Sequence, residues 1–519
     1  MEENKDKQTE NIDKQTENNE KQAGKNPKSF RERVAENKRS RWIRFAIVSI
    51  VFFAWVAWLG TWWVALFWFL LFDIYITGYI PLTWWKRSKH QATRVVMSWV
   101  DAIVYALVLV YFVFAFIGQN YQIPSSSLEK SLLVGDYLWV NKVSYGPRVP
   151  MTPIHFPLVQ HTFPIINTKS YIENPQFEYH RLKGLGDVER NDIVVFNFPA
   201  GDTVASKVQQ IDYYSLVRHY GRNVVNNDRE SFGQVIYRPV DRRENYVKRA
   251  IGLPGEFLSI EDGVFYINGQ PLPQPKNQQF NYWVQLAGNR MLQEGDLDRL
   301  GIARDDRHQM QVEAGDLEAW RQMGFNVSED VNPVIYAFPL TRDMVAALEK
   351  DYSAKVVRIP AAPEEDGYLF PNNKVSEKWT RADYALDLKY KVNGDSIATG
   401  IWIPKRGNTI RLDERSWDIY NRVIRNYEGH PDAELRDGKV WIDGAPAEYY
   451  TFKMDYYYMI GDNRDNSLDS RYWGFVPEDH VVGKPMVILA SFDKDKGLFS
   501  GGLRLDRVFR WVKDKAGME

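Results

Sequence analysis

The chain contains no cysteine among its 519 residues. Thiol nucleophiles, disulfides and cysteine-based metal sites are therefore excluded. Histidine is scarce, at eight residues, and none lies in the motif segments described below. The nearest is His480, in Pro477-Glu478-Asp479-His480. No Gly-x-Ser-x-Gly elbow surrounds Ser127, so a Ser-His-Asp triad has no support in the sequence. Charge of one sign is lacking too. With 66 basic and 67 acidic residues, the chain does not read as a general nucleic-acid binder.

Aromatics are abundant, with 18 Trp, 29 Tyr and 27 Phe. Many of the Trp crowd the N-terminal region, which points to a membrane. Residues 1–24 are polar and repeat Asp6–Asn11 as Asp13–Asn18. The seven-residue period has no apolar seam, so the expectation is a disordered cytosolic tail over 1–40 and not a coiled coil. A membrane region over 41–118 follows, with about three transmembrane helices at 45–59, 62–80 and 96–117. The hairpin at 45–80 reads either as two spans or as a re-entrant pair. Lys38, Arg39, Arg41 and Arg44 precede the first segment, and Lys86, Arg87, Lys89 and Arg94 fill the loop before the third. The positive-inside rule puts both clusters in the cytosol and everything after residue 118 outside.

From residue 121 onward the pattern is mostly β. Val134–Val140, Asp192–Phe198, Val264–Ile267, Val440–Ile442 and Met486–Ser491 are short apolar or alternating runs near turn residues. Asp262–Gly269 echoes Asp437–Gly444, each a strand between two Gly-containing turns. Helical patterns appear between about 290 and 350, with Thr341 a candidate cap for Arg342–Lys350 and Gly324 a candidate stop for Asp316–Met323. The expected architecture is a β catalytic body over 121–280 and 400–500, interrupted by a mixed α/β insertion at 281–399. The C-terminal 501–519 segment has apolar residues at helical spacing. It is expected to be an amphipathic helix, lying either on a membrane surface or on the β body.

Three segments carry the chemistry. In Ile123–Asp136, three adjacent serines follow Pro124. Taken alone, a serine triplet reads as a membrane-exit linker. Yet Ser127 lies ten residues beyond Ile117, so it is held within roughly 35 Å of the end of the third span. In Tyr246–Glu256, Lys248 sits in a strand-like run that stops at Pro254-Gly255. A surface lysine is the ordinary reading. A buried one has a lowered pKa, and its neutral amine can take a proton from a serine hydroxyl. Gly461–Gly474 is a polar loop clamped between apolar Tyr456–Ile460 and Phe475–Pro477. Its charges must satisfy one another if buried. It reads as a tied turn or as part of a site.

Together with Arg190–Pro199 (RNDIVVFNFP), these blocks resemble the bacterial type I signal peptidases, membrane-bound Ser-Lys endopeptidases. The blocks match in family order and cover about a tenth of the chain. The resemblance implies N-terminal transmembrane helices followed by a mostly-β catalytic domain with a signal-peptidase-like fold. It implies Ser127 as nucleophile, Lys248 as general base, and Ser125 with the Ser127 backbone N–H as the oxyanion hole. Ser467 matches the lysine-orienting serine, with Asp469 and Arg471 the charged pair in support. Asp462 and Arg464 match structural residues of the same loop. No metal or cofactor is implied. The implied partners are signal peptides of exported preproteins with small residues before the cut, membrane lipid and the protein-export machinery, and no nucleic acid. The implied location is the cytoplasmic (inner) membrane, multi-pass, with the catalytic domain on the outer (periplasmic) face. Leu128 replaces the family's common Met, and Lys130 its common Pro. Ile123 and Leu128 are the candidate pocket walls. Two other readings stay open: a dedicated processing protease for one exported substrate, and an inactive preprotein-binding relative.

Overall fold

A computed structural model describes residues 30–60, 62–328, 333–361, 369–371, 375–376, 378–392, 396–497 and 501–512. Of the tail expected over 1–40, residues 1–29 lie outside the described residues. The chain forms two compact units, residues 1–108 and 109–519.

In the first unit, helix Arg39–Leu59 ends at Gly60, whose φ of 67° lets its N–H cap the Val56 and Ala57 carbonyls. Helical order begins before the expected boundary at residue 40, because Phe30–Ala35 already form a helix. Side chains there tie down carbonyls further on: Arg33 donates to the Gly78 oxygen (2.8 Å) and Asn37 to that of Ile76 (2.6 Å). The segment expected as one helix over 62–80 is broken. It runs as a 3-10 turn (Trp62–Phe67), a short α-helix (Trp68–Phe72) and a π-turn (Asp73–Thr77). Asp73 ends the run by accepting from the Tyr79 and Ile80 amides at 2.7 and 3.0 Å. Among the described residues, two helices, Arg39–Leu59 and Gln91–Ile117, are long and apolar enough to cross a membrane, while Val64–Thr77 is shorter.

The second unit is mostly β. Its main sheet has antiparallel neighbours in the order Gly118–Gln122, Asp136–Asn141, Val481–Ser491, Ile193–Asn197, Asn245–Gly252, Tyr456–Ile460, Val476–Pro477. The central strands Ile193–Asn197 and Tyr456–Ile460 are buried at every residue, which matches the apolar runs Ile193–Phe196 and Tyr456–Ile460. A second body packs around Leu258, Ile260, Tyr384, Ile401 and Trp417. Its two echoing strands, Val264–Ile267 and Lys439–Ile442, are each bounded by paired left-handed turns, at Asp262-Gly263 and Asn268-Gly269, and at Asp437-Gly438 and Asp443-Gly444. Residues 280–358 build a separate four-stranded sheet, ordered His308–Met310, Ile335–Leu340, Phe280–Gln285, Lys355–Arg358. Helix Arg342–Tyr352 starts at Thr341, whose hydroxyl accepts from the Met344 N–H.

The C-terminal expectation needs correcting. Leu503–Val512 is not an amphipathic helix. Leu505–Arg507 is one 3-10 turn, and Arg510–Trp511 pairs with Val487–Ile488 of the main sheet. Arg507 sets this path by reaching inward to the fully buried Asp136 (Nε–Oδ1 3.0 Å, Nη2–Oδ2 2.5 Å).

Candidate active site

Lys248 lies in the central strand Asn245–Gly252, opposite Val194 on one neighbour. Strand alternation sends Lys248 and Arg249 to opposite faces, and both are buried. On the Lys248 side, Nζ lies 2.6 Å from Ser127 Oγ. Lys248 is 3% exposed and Ser127 6%. Burial pulls the lysine pKa down to about 8, against Asp469, which raises it, and with Arg471, which lowers it further. The Tyr246 ring centroid lies 5.8 Å from Nζ and covers the amine.

Ser127 sits in the single 3-10 turn Ser126–Leu128, directly after an extended Ser125. Ser125 is exposed, and its Oγ lies 3.5 Å from Ser127 Oγ. The turn is gripped from behind by the polar loop. Asn463 N–H donates to the Ser127 carbonyl (3.1 Å), and Asn463 Nδ2 to that of Ser126 (3.4 Å).

The loop's charges pair inside the protein. Asp462 accepts from Arg249 Nε (2.7 Å), Arg249 Nη2 (2.6 Å) and Ser131 Oγ (2.6 Å). Asp469 accepts from Arg471 Nε (2.9 Å) and Nη2 (2.8 Å), and from the Gly461 N–H (3.2 Å). Burial opposes ionisation of both carboxyls, but Arg249 and Arg471 hold them below the usual carboxylate range. Arg464 is buried over the Phe265 ring at 4.5 Å, and burial pulls its pKa to about 9.

Ser467 Oγ is buried and makes no hydrogen bond, to Lys248 or to any other described residue. It packs on Gly461, where an added Cβ would lie 2.6 Å from both Ser467 Cβ and the Ser127 carbonyl oxygen. The structure thus gathers Ser125, Ser127, Lys248, Asp469 and Arg471 around one point and sets Ser467 beside them without a bond. His480 is elsewhere, bonded to Asp479 (2.6 Å) and Arg243 (2.8 Å).

The serine–lysine pair opens into a cleft of about 780 Å³. Tyr121, Ile123, Ser125, Tyr246 and Leu468 line it, together with Thr203, Val204, residues 209–212 and Ser215. Ile123 lines it as expected, whereas Leu128 turns into the core beside Leu132 and Leu138. Strand Gly118–Gln122 pairs with Asp136–Asn141 alone among the described strands, so one edge stays available to an extended peptide.

Sequence reasoning missed Gly461, Asn463 and Arg249. The signal for Arg249 was present: a charged residue in a strand that closes on Ala250-Ile251 needs a buried partner. Gly461 acts through close backbone approach, and Asn463 through its amide N–H together with its side chain, contacts across the fold that no sequence pattern reveals.

The family profile described as "Signal peptidase, peptidase S26" matches residues 96–323 and 403–490, more than half of the chain. The chain is similar to Signal peptidase I of Buchnera aphidicola subsp. Baizongia pistaciae, 22% identical over 430 residues, covering 83% of this chain and 88% of that protein. Shorter matches reach Signal peptidase I of Buchnera aphidicola subsp. Acyrthosiphon pisum, 60% identical over 52 residues (10% of this chain, 17% of the relative). Signal peptidase I of Haemophilus influenzae is 33% identical over 110 residues (21% of this chain, 30% of the relative).

Proposed function

The chain belongs to the signal peptidase family, peptidase S26, and from that premise we propose that it is a membrane-bound serine endopeptidase cutting signal peptides from exported preproteins with a Ser127–Lys248 dyad. The observation that carries this is the buried contact of 2.6 Å between Lys248 Nζ and Ser127 Oγ. Serine needs a base, and a lysine with a pKa near 8 is partly neutral at physiological pH.

In this reading the Ser127 hydroxyl gives its proton to the neutral Lys248 amine as Oγ attacks the scissile carbonyl. The Ser127 N–H and Ser125 hydroxyl receive the developing oxyanion. The tetrahedral intermediate collapses, Lys248 protonates the departing amine, and an ester remains on Ser127. Water then gives a proton to Lys248 as it attacks the ester, and Lys248 returns that proton to Ser127 Oγ as the acyl–oxygen bond breaks. Ser467 is assigned to orient the lysine: it is a buried hydroxyl with unspent hydrogen-bonding capacity beside Gly461. Asp469 and Arg471 hold that loop in place.

Residues 121–280 and 400–500 form the catalytic body, with 281–399 inserted into it. The family match stops at 323 and resumes at 403, which supports an insertion only over the later part of that range, where Tyr384 nonetheless packs into the core beside Leu258 and Ile260. The basic clusters at 38–44 and 86–94 favour a multi-pass cytoplasmic-membrane protein with this body on the outer face. The test is cleavage of a preprotein by the detergent-purified chain beside its Ser127→Ala variant. Cutting at the signal-peptide junction by the wild type alone is expected. Equal cutting by both removes Ser127 from the mechanism, and no cutting by either favours a binding role or a dedicated substrate.

A further inference from the structure

A second cavity, of about 70 Å³, lies beside the last turn of the apolar helix, at Phe114 and Ala115. Its polar lining includes Lys142, Arg148, His155, Gln160, Asp241 and Arg242. Three cations therefore face one carboxylate, and that carboxylate is committed. Asp241 accepts from the Thr152 N–H (2.8 Å) and hydroxyl (2.7 Å) and pairs with Arg242 Nη2 at 3.6 Å.

The cations keep donors in hand. Arg242 is 8% exposed, and its Nε has no hydrogen-bond partner. Its Nη1 reaches the Gln160 carbonyl only at 3.5 Å. Lys142 makes one long bond, 3.4 Å to Gln119 Oε1. Arg148 is better satisfied, through Asn197 Oδ1 (2.7 Å) and the Asp479 carbonyl. His155 Nδ1 donates to the Thr152 carbonyl (2.9 Å), and burial together with Arg242 pulls its pKa down to about 4, so the ring is neutral. Buried donors of like charge without acceptors are costly. Burial and the neighbouring Arg148 and Arg242 pull the Lys142 pKa down to about 7. The same positive potential attracts an anion.

We propose that this cavity binds one phosphate group, held by Lys142 and Arg242 at the foot of the apolar helix. A volume near 70 Å³ is about that of two liquid waters. It suits one tetrahedral oxyanion and excludes a sugar or a nucleotide base. Guanidinium and ammonium donors together are the ordinary chemistry of phosphate recognition. In a chain anchored through Gln91–Ile117, the nearest phosphate is the diester of an anionic phospholipid; free phosphate is the other source.

The test uses the full chain in neutral detergent micelles and titration calorimetry. The probes are a short-chain phosphatidylglycerol, a phosphatidylcholine of equal chain length, and inorganic phosphate. The variants are Lys142→Gln, Arg242→Gln and the conservative Arg242→Lys, with Lys439→Gln as an exposed cation elsewhere. Each variant is first checked for peptide cleavage at the wild-type rate, so that a folding loss is not read as a binding loss. Expected is phosphatidylglycerol binding weakened tenfold or more in both Gln variants, partly restored in Arg242→Lys, and unchanged in Lys439→Gln. Binding of inorganic phosphate with the same sensitivity supports the site with free phosphate as its source. Equal binding by wild type and both Gln variants overturns it. Should Arg242→Gln fail to fold, Lys142→Gln decides alone.

Discussion

Lys248→Met separates the two consequences of burying a lysine. The folded-state pKa is pulled from 10.5 to about 8. Between those values the unfolded chain binds more protons than the folded one, so wild-type stability rises with pH across that window. Below about pH 8 both states are protonated and the cost is complete. A shift of this size corresponds to roughly 3 kcal/mol. Methionine removes that cost and forfeits the bond to Ser127, worth about 1 kcal/mol. The variant is therefore expected to be about 2 kcal/mol more stable than wild type at pH 7, with the difference near zero by pH 10. Denaturant unfolding in detergent at the two pH values measures it. Activity should move the opposite way. The variant should be inactive, and wild-type kcat/KM should rise about tenfold from pH 7 to 9, following the neutral fraction of a base with pKa near 8. A Met variant less stable than wild type at pH 7, or a flat rate profile over that interval, would refute the idea of a desolvated lysine base.

Gly461→Ala should cut kcat by about 100-fold with little change in fold, because its Cβ would press on both Ser467 and the Ser127 carbonyl. Adding Ser467→Gly removes only one of those contacts and also the hydroxyl assigned to Lys248, so full rescue in peptide-cleavage assays would overturn both the displacement of the Ser127 backbone and the orienting role of Ser467. Asp469→Asn leaves Arg471 buried without its carboxylate, and unfolding should report a loss of about 3–5 kcal/mol. A loss under about 1 kcal/mol would mean that the loop relaxes and lets water in. Lys130 has φ 69°, which proline cannot adopt. Lys130→Pro should therefore lose more than about 1 kcal/mol, while Lys130→Gly keeps the backbone conformation at no steric cost. Equal thermal stability of the two variants would contradict that conformation.

The legible parts were those whose signal is local. Unbroken apolar runs such as residues 193–196 marked buried strands, and Asp-Gly and Asn-Gly pairs marked the turns around Val264–Ile267. Clustered rare chemistry in Ser125–Ser127, Lys248 and Gly461–Gly474 marked the residues that meet in space. What failed depends on distant partners. Helical spacing at 503–512 was overridden by one ion pair, since Arg507 reaching Asp136 draws that segment into an edge strand. The apolar run at 62–80 had the composition of a span, yet Asp73 turned its own carboxylate onto the Tyr79 and Ile80 amides and ended the helix. The substitution at position 130 was visible. Its meaning was not, because only the fold reveals that the backbone there is left-handed and that Lys130 Nζ is tied to the Gly301 carbonyl.

The same distinction explains how so charged a loop can lie against a base that must lose its proton. An isolated buried carboxylate beside Lys248 would hold the ammonium form and silence it. Here each carboxylate arrives with its own guanidinium. Asp462 is spent on Arg249 and Asp469 on Arg471. Asp469 and Asp462 raise the lysine pKa and Arg471 opposes them, and burial outweighs both carboxylates. Burial is then the dominant influence, and it favours the neutral amine. The paired charges contribute geometry instead. Asp469 fixes the Gly461 amide, Gly461 lies against the Ser127 carbonyl, and the neighbouring Asn463 amide holds that same carbonyl. The loop thus positions the nucleophile through its backbone, while its ion pairs leave the base to be set by exclusion of water.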